Sequence, residues 1–118
     1  MEELNLRNYA HLGDAIWELW VRETTTNLTQ NPKQLHIFTT ERVNAKFQHE
    51  LLLKIQDILT PEESEIIRRS RNLSIPTARK SIQSDYRMAT AFEVLIGWWY
   101  KNDAARLEEM KNKLINYL

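Results

Sequence analysis

The chain has no cysteine in 118 residues, which excludes disulfides and thiolate metal sites. This suits a reducing compartment. It has only two glycines and three prolines, too few for a fold built on tight turns. With abundant Leu, Ile, Glu, Arg and Lys, that scarcity points to an all-α fold. Long apolar runs are also missing. The longest mostly apolar stretch, residues 94–100, falls far short of the roughly 20 residues that cross a bilayer. The N-terminus opens Met1-Glu2-Glu3, with neither the basic nor the apolar region of a signal peptide. A cytoplasmic protein is expected, with an organelle stroma as the alternative. Net charge is absent too: 16 basic residues balance 16 acidic ones, which excludes general stickiness toward polyanions. The length fits one domain spanning residues 1–118, large enough to bury a core.

The neutral average hides a basic block. Between residues 66 and 87 stand Arg68, Arg69, Arg71, Arg79, Lys80 and Arg87, with Asp85 the single acid. Such a block marks where an anion is met, or else a solvated helix end beside a loop; charge alone favours neither.

Hydrophobic spacing predicts a first helix over about 6–25. Tyr9, Leu12, Gly13, Ile16 and Trp20 form one stripe, and Ala10, Asp14, Trp17 and Val21 a second, so two buried sides are expected. Asn31-Pro32 starts a short helix. A longer one is predicted from about 41 to 58, on the face of Val43, Phe47, Leu51 and either Ile55 or Lys54. Thr60-Pro61-Glu62-Glu63 is a capping box with proline at the first position, opening a helix to about 72. Residues 73–83 read as a loop. Ser84 or Asp85 caps the next helix, to about 101, and a last helix runs from 102–103 to about 117.

Two acids interrupt these apolar stripes at opposite ends of the chain. Asp14 lies in Leu12-Gly13-Asp14-Ala15-Ile16-Trp17, and Glu93 in Ala91-Phe92-Glu93-Val94-Leu95-Ile96-Gly97. A carboxylate in apolar surroundings needs compensation. Each sits near a glycine, which lets backbones approach closely, so a shared cation is suggested. Hard oxygen ligands suit magnesium or manganese, and a magnesium held by two carboxylates keeps several waters. Such an ion beside a basic segment fits phosphodiester hydrolysis. The plain alternative pairs each acid with a basic side chain, Arg87 or Arg22 for Asp14. Spacing does not show that the two acids meet. Glu18, one turn on, reads as a surface acid or a neighbour of the site. His11, His36 and His49 lack zinc-site spacing and read as packing or surface residues. Trp17, Trp20, Trp98 and Trp99 read as core or interface.

These segments resemble the two signature motifs of the ribonuclease III catalytic domain, and most closely its short branch, Mini-ribonuclease III, which lacks a separate double-stranded-RNA-binding domain. The likeness is carried by His11-Leu12-Gly13-Asp14-Ala15-Ile16-Trp17-Glu18, by Val43-Asn44-Ala45-Lys46, by Arg68-Arg69-Ser70-Arg71-Asn72 and by Tyr86-Arg87-Met88-Ala89-Thr90-Ala91-Phe92-Glu93. It covers nearly the whole chain. It implies a ribonuclease III endonuclease-domain-like helical bundle, with Asp14 and Glu93 as the catalytic pair binding Mg2+, for which Mn2+ may substitute. It also implies a homodimer cutting both strands of double-stranded RNA. Arg68, Arg69, Arg71, Asn72, Arg79 and Lys80 are the candidate RNA contacts. Precursor ribosomal RNA is the leading substrate, with a ribosomal protein as a further partner. Full-length members carry extra acids where Arg7, Ala10 and Thr90 stand here, which leaves fewer protein ligands and more water at the metal. The segment 73–78 also departs from the family by lacking its Gly and Lys residues. A catalytically silent RNA-binding or ribosome-associated scaffold of the same fold is the competing reading, and a helical protein-interaction module a third.

Overall fold

The computed structural model of the chain describes residues 4–74 and 80–118, the side chains of Lys80 and Ser81 excepted. Among these residues run six α-helices and no strand, in keeping with the all-α expectation. The first helix, α1, spans Leu6–Thr25, where its periodicity placed it. Its cap is Asn5, whose side chain accepts from the Arg7 N–H at 2.8 Å. Asn31 caps α2, Pro32–Val43, accepting from the N–H groups of Lys33 and Gln34.

The next boundary differs from expectation. A helix was expected from about residue 41, but α2 continues to Val43 and α3 spans Ala45–Ile55, followed by a 3-10 turn at Gln56–Ile58. Asn44 makes the break. Its backbone is extended, its side-chain oxygen accepts from Phe47 N–H at 2.9 Å, and its amide donates to the carbonyls of Thr40 and Glu41. One residue thus closes a helix and opens another, which hydrophobic period does not register.

The capping box at Thr60 and Glu63 forms as predicted and opens α4, Pro61–Arg71. The helix α5 spans Lys80–Asn102, so residues 80–83 are helical rather than loop. Asp85 is not a cap; its carboxylate accepts from His49 Nδ1 at 2.8 Å and ties α5 to α3. Asp103 caps α6, Ala104–Leu114, and a 3-10 turn at Ile115–Tyr117 follows.

The core forms around α5, against which α1, α3 and α4 pack. Ala91, Phe92, Val94, Leu95, Ile96 and Trp99 are buried, so this helix is enclosed on most sides. On α1 the two expected stripes resolve into one buried face: Leu6, Tyr9, Gly13, Trp17, Trp20 and Val21. Trp17 meets Phe92 edge to face at 5.1 Å. Trp17, Trp20 and Trp99 are buried and Trp98 packs on the core from its edge, as their helical spacing suggested. The opposite face of α1 is exposed and carries His11, Ala15 and Leu19, the last 58 % accessible.

Glu63 does more than complete a cap. It is buried, and its carboxylate also accepts from Trp99 Nε1 at 2.7 Å and from Arg106 Nε and Nη2 at 2.9 Å. Burial alone would raise its pKa, but the bonds from Arg106, the Thr60 N–H and Trp99 together hold it below the usual carboxylate value. A depressed folded-state value adds stability above the unfolded pKa, and that stability is lost as pH falls through the folded one. Glu63→Gln is therefore expected to cost about 2 kcal/mol at pH 7, the scale of charge-assisted hydrogen bonds. The difference from wild type should shrink as pH falls below the ordinary carboxylate value of 4.5, as urea titration at pH 7 and in acid would show.

Candidate active site

The two stripe-breaking acids are brought together by the two glycines. A Cβ on Gly13 would stand 1.8 Å from the carbonyl oxygen of Glu93, and one on Gly97 would stand 2.0 Å from that of Tyr9. So α1 and α5 cross backbone to backbone, which only a residue without a side chain permits. Asp14 follows Gly13 directly, and the crossing therefore delivers it beside Glu93. Their side chains are hydrogen-bonded to each other. Both line a cleft of about 320 Å³ with Val43, Ala45, Gln48, Tyr86, Ala89 and Thr90.

Asp14 lies on the exposed rim of this cleft and Glu93 deeper within it. Burial first, then the hydrogen bond and negative charge of Asp14, push the Glu93 carboxyl up to about 8; the charge of Glu18 adds to the rise, and a hydrogen bond from Gln48 opposes it. At neutral pH the Glu93 carboxyl therefore keeps its proton, as burial beside a second acid dictates. The alternative pairings do not occur. Arg22 bonds Glu18 at 2.7 Å, and Arg87 donates to the carbonyls of Arg71 and Leu73. Among the described residues no ion pair reaches Asp14 or Glu93. No cluster of three or more His, Asp or Glu stands ready for a metal among them either. Thr90, where longer relatives are expected to carry an acid, turns its hydroxyl back to the Tyr86 carbonyl.

The candidate RNA contacts gather at the end of α4. Arg68, Arg69, Arg71 and Asn72 are exposed there, and Arg68 is bridged to Glu65 at 2.6 Å. Arg79 lies outside the described residues, as does the side chain of Lys80, the first residue of α5. Two other arginines are spent on shape. Arg87 holds the C-terminus of α4, and Arg7, on the turns of α1 before Asp14, donates to the Ser74 carbonyl and hydroxyl. The basic segment is thereby moored to both helices that carry the carboxylates. Sequence reasoning passed over Gln48. Its signal was the same as that of Asp14 and Glu93: a polar residue in an apolar stripe, here Gln48, Leu51, Leu52 and Ile55.

Comparison with known proteins matches residues 7–104 to the ribonuclease III domain. The chain is 38 % identical over 107 residues to a Mini-ribonuclease 3 of Thermoanaerobacter, an alignment covering 89 % of this chain and 74 % of that one. It is 36 % identical over 121 residues to a Mini-ribonuclease 3 of Clostridium tetani, covering 98 % and 80 %. A crystal structure of a protein from Fusobacterium nucleatum superposes with a TM-score of 0.83 at 32 % identity, over 98 % of this chain and 92 % of that one.

Proposed function

The chain belongs to the ribonuclease III family of endoribonucleases, and on that premise we propose that it hydrolyses phosphodiester bonds in double-stranded segments of structured RNA with a divalent cation, Mg2+ or Mn2+. One observation carries the reading: Asp14 and Glu93 meet in a cleft with no cation from the described residues to neutralise them. The donor set fits such an ion. Asp14 and Glu93 offer two hard carboxylates, Glu93 would give up its proton on binding, and among the described residues no cluster of three acids or histidines stands there, so water would complete the ion's shell. When bound, the ion supplies charge stabilisation at a phosphodiester and lowers the pKa of a water. Asp14 at the rim and Glu93 deeper in the cleft would hold the ion. The core beneath Glu93, Phe92 and Trp17, keeps bulk water from that side.

For RNA, Arg68, Arg71 and Asn72 on the open end of α4 present donors to a backbone read by shape. Arg68→Ala with Arg71→Ala should weaken duplex binding and flatten its salt dependence by about one unit of log–log slope per lost phosphate contact. An unchanged slope in a filter-binding titration would move the RNA to another face. The homodimer is part of the same proposal. The exposed face of α1, with Ala15 and Leu19, is the surface we assign to its two-fold contact. Sedimentation at micromolar concentration should give twice the monomer mass of 14.1 kDa; a monomer there would remove that support. Precursor ribosomal RNA is the proposed substrate, as the family resemblance of the sequence implies.

The direct test is incubation with a folded duplex RNA and with a single strand of equal length, each with Mg2+ and with chelator. Cleavage of the duplex alone, and only with the ion, is expected. Binding without cleavage would favour the silent scaffold, a reading that gives no reason for two acids in one cleft.

A further inference from the structure

Gln48 is an amide where the pattern of α3 calls for an apolar side chain. It is 3 % exposed, in line with Leu51, Leu52 and Ile55. A buried amide is destabilising unless its hydrogen bonds are met, and a leucine would fill the same place without that demand. Across the helix interface stands the Glu93 carboxyl: both groups line the cleft that holds Asp14, and the Gln48 amide is near enough to oppose, as a hydrogen-bond donor, the rise that burial causes in the Glu93 pKa. A hydrogen bond that lowers a carboxyl pKa favours the ionised form, which only accepts, so the amide Nε2 is the donor.

The route by which Gln48 reaches Glu93 is fixed at both ends. One turn earlier, Asn44 is pinned through Phe47 N–H, Thr40 O and Glu41 O, and the Gln48 N–H itself donates to Asn44 O at 3.2 Å. One residue later, His49 is locked to Asp85 on α5 at 2.8 Å. The amide therefore arrives at Glu93 from a backbone with little freedom to shift. Glu93 itself has several rotatable bonds, and its acidic neighbours Asp14 and Glu18 both repel its ionised form. Where Glu93 is ionised, that repulsion turns its carboxylate away from Asp14 unless something holds it. A fixed donor holds it.

We propose that Gln48 is a positioning residue, whose amide orients the Glu93 carboxylate toward Asp14 so that the two are set to grip one cation before it arrives. This rests on the reading of Asp14 and Glu93 as ligands. The benefit is preorganisation: ordering a free glutamate on ion binding would weaken the affinity, and here the fold has already ordered it.

Gln48→Leu keeps the volume and removes the donor; Gln48→Met does the same with a more adaptable side chain, should the leucine variant fail to fold. Mn2+ is the probe, its free concentration followed by electron paramagnetic resonance. The variant's dissociation constant for Mn2+ is expected to rise by about 10- to 100-fold, the usual effect of losing an outer partner of a ligand. At saturating Mn2+ its kcat should return to the wild-type value with KM for duplex RNA unchanged, a rescue that a merely structural defect would not show. Ion-free crystals of the variant should show Glu93 rotated away from Asp14. An unaltered Mn2+ constant with Glu93 in place would overturn the proposal, as would lost activity that saturating Mn2+ fails to restore. A wild-type protein that binds no Mn2+, with Glu93 still rotating in the variant, would overturn the ligand reading while upholding the orienting role of Gln48.

Discussion

Glu93→Gln is expected to lower the cleavage rate of duplex RNA by about 10³-fold or more, roughly 4 kcal/mol on the barrier. The glutamine keeps the size and the contacts of the side chain but withdraws one of two carboxylates from an ion that has no third acid among the described residues to hold it. The same substitution should make the ion-free protein more stable at pH 8. The Glu93 carboxyl titrates at about 8 in the fold, against 4.5 for an ordinary glutamate. A raised value gives stability that is complete below the unfolded pKa and is lost as pH rises through the folded one. Wild-type melting temperature in chelator should therefore fall as pH is raised from about 4.5 through about 8. The variant, which has no proton to lose there, should lack that fall. Adding Mg2+ at pH 8 should restore the wild type and leave the variant unmoved. Asp14→Asn should abolish cleavage as well, since the second oxygen donor is removed. A variant that cuts at the wild-type rate, or one that melts with the wild-type pH dependence, would contradict the site. The trade is of a familiar kind: two acids are kept in a costly proximity because the ion they receive needs both.

Gly13→Ala carries the second large effect, on folding and on catalysis together. An alanine fits a helix better than glycine by about 1 kcal/mol. Here its methyl carbon would fall 1.8 Å from the Glu93 carbonyl oxygen, and a backbone atom has no rotamer by which to yield. The helices must separate, at an overpacking cost of about 1–3 kcal/mol or somewhat more. We expect a net loss near 2 kcal/mol by urea denaturation. The catalytic loss should be larger than the folding loss explains. Separation of α1 from α5 moves Asp14 away from Glu93, and a displacement near 1 Å costs on the order of 10²-fold in rate. Gly97→Ala is the natural comparison. It meets the Tyr9 carbonyl at 2.0 Å, one turn further from the carboxylates. Its stability loss should be similar and its rate loss smaller. Equal rate losses would mean that the crossing moves as a rigid whole, and wild-type activity in Gly13→Ala would mean that helix contact does not set the pair.

Much of this architecture was written in local chemistry. The first helix kept its expected bounds because a cap and an unbroken apolar period agree there. Thr60, Pro61 and Glu63 announced α4 because a capping box needs only four adjacent residues. Asp14 and Glu93 stood out because each breaks an apolar stripe beside a glycine, and those are properties of single helices. The sequence alone thus determined the helix class, the helix starts capped at Asn31 and Thr60, and the two acids that break the apolar stripes.

The remainder depended on partners distant in the chain. The break at Asn44 turns on which carbonyls its amide reaches. Asp85 looked like a cap and instead serves His49, because α3 packs on α5. Arg87, part of the basic block and a candidate partner for Asp14 on sequence grounds, instead donates to the carbonyls of Arg71 and Leu73. Glu63 gained Trp99 and Arg106, and Gln48 gained Glu93, only when their helices were packed. Above all, the meeting of Asp14 with Glu93 was decided by the crossing of α1 and α5. A helix pattern fixes which face a residue occupies, but only the packed bundle fixes which face it confronts.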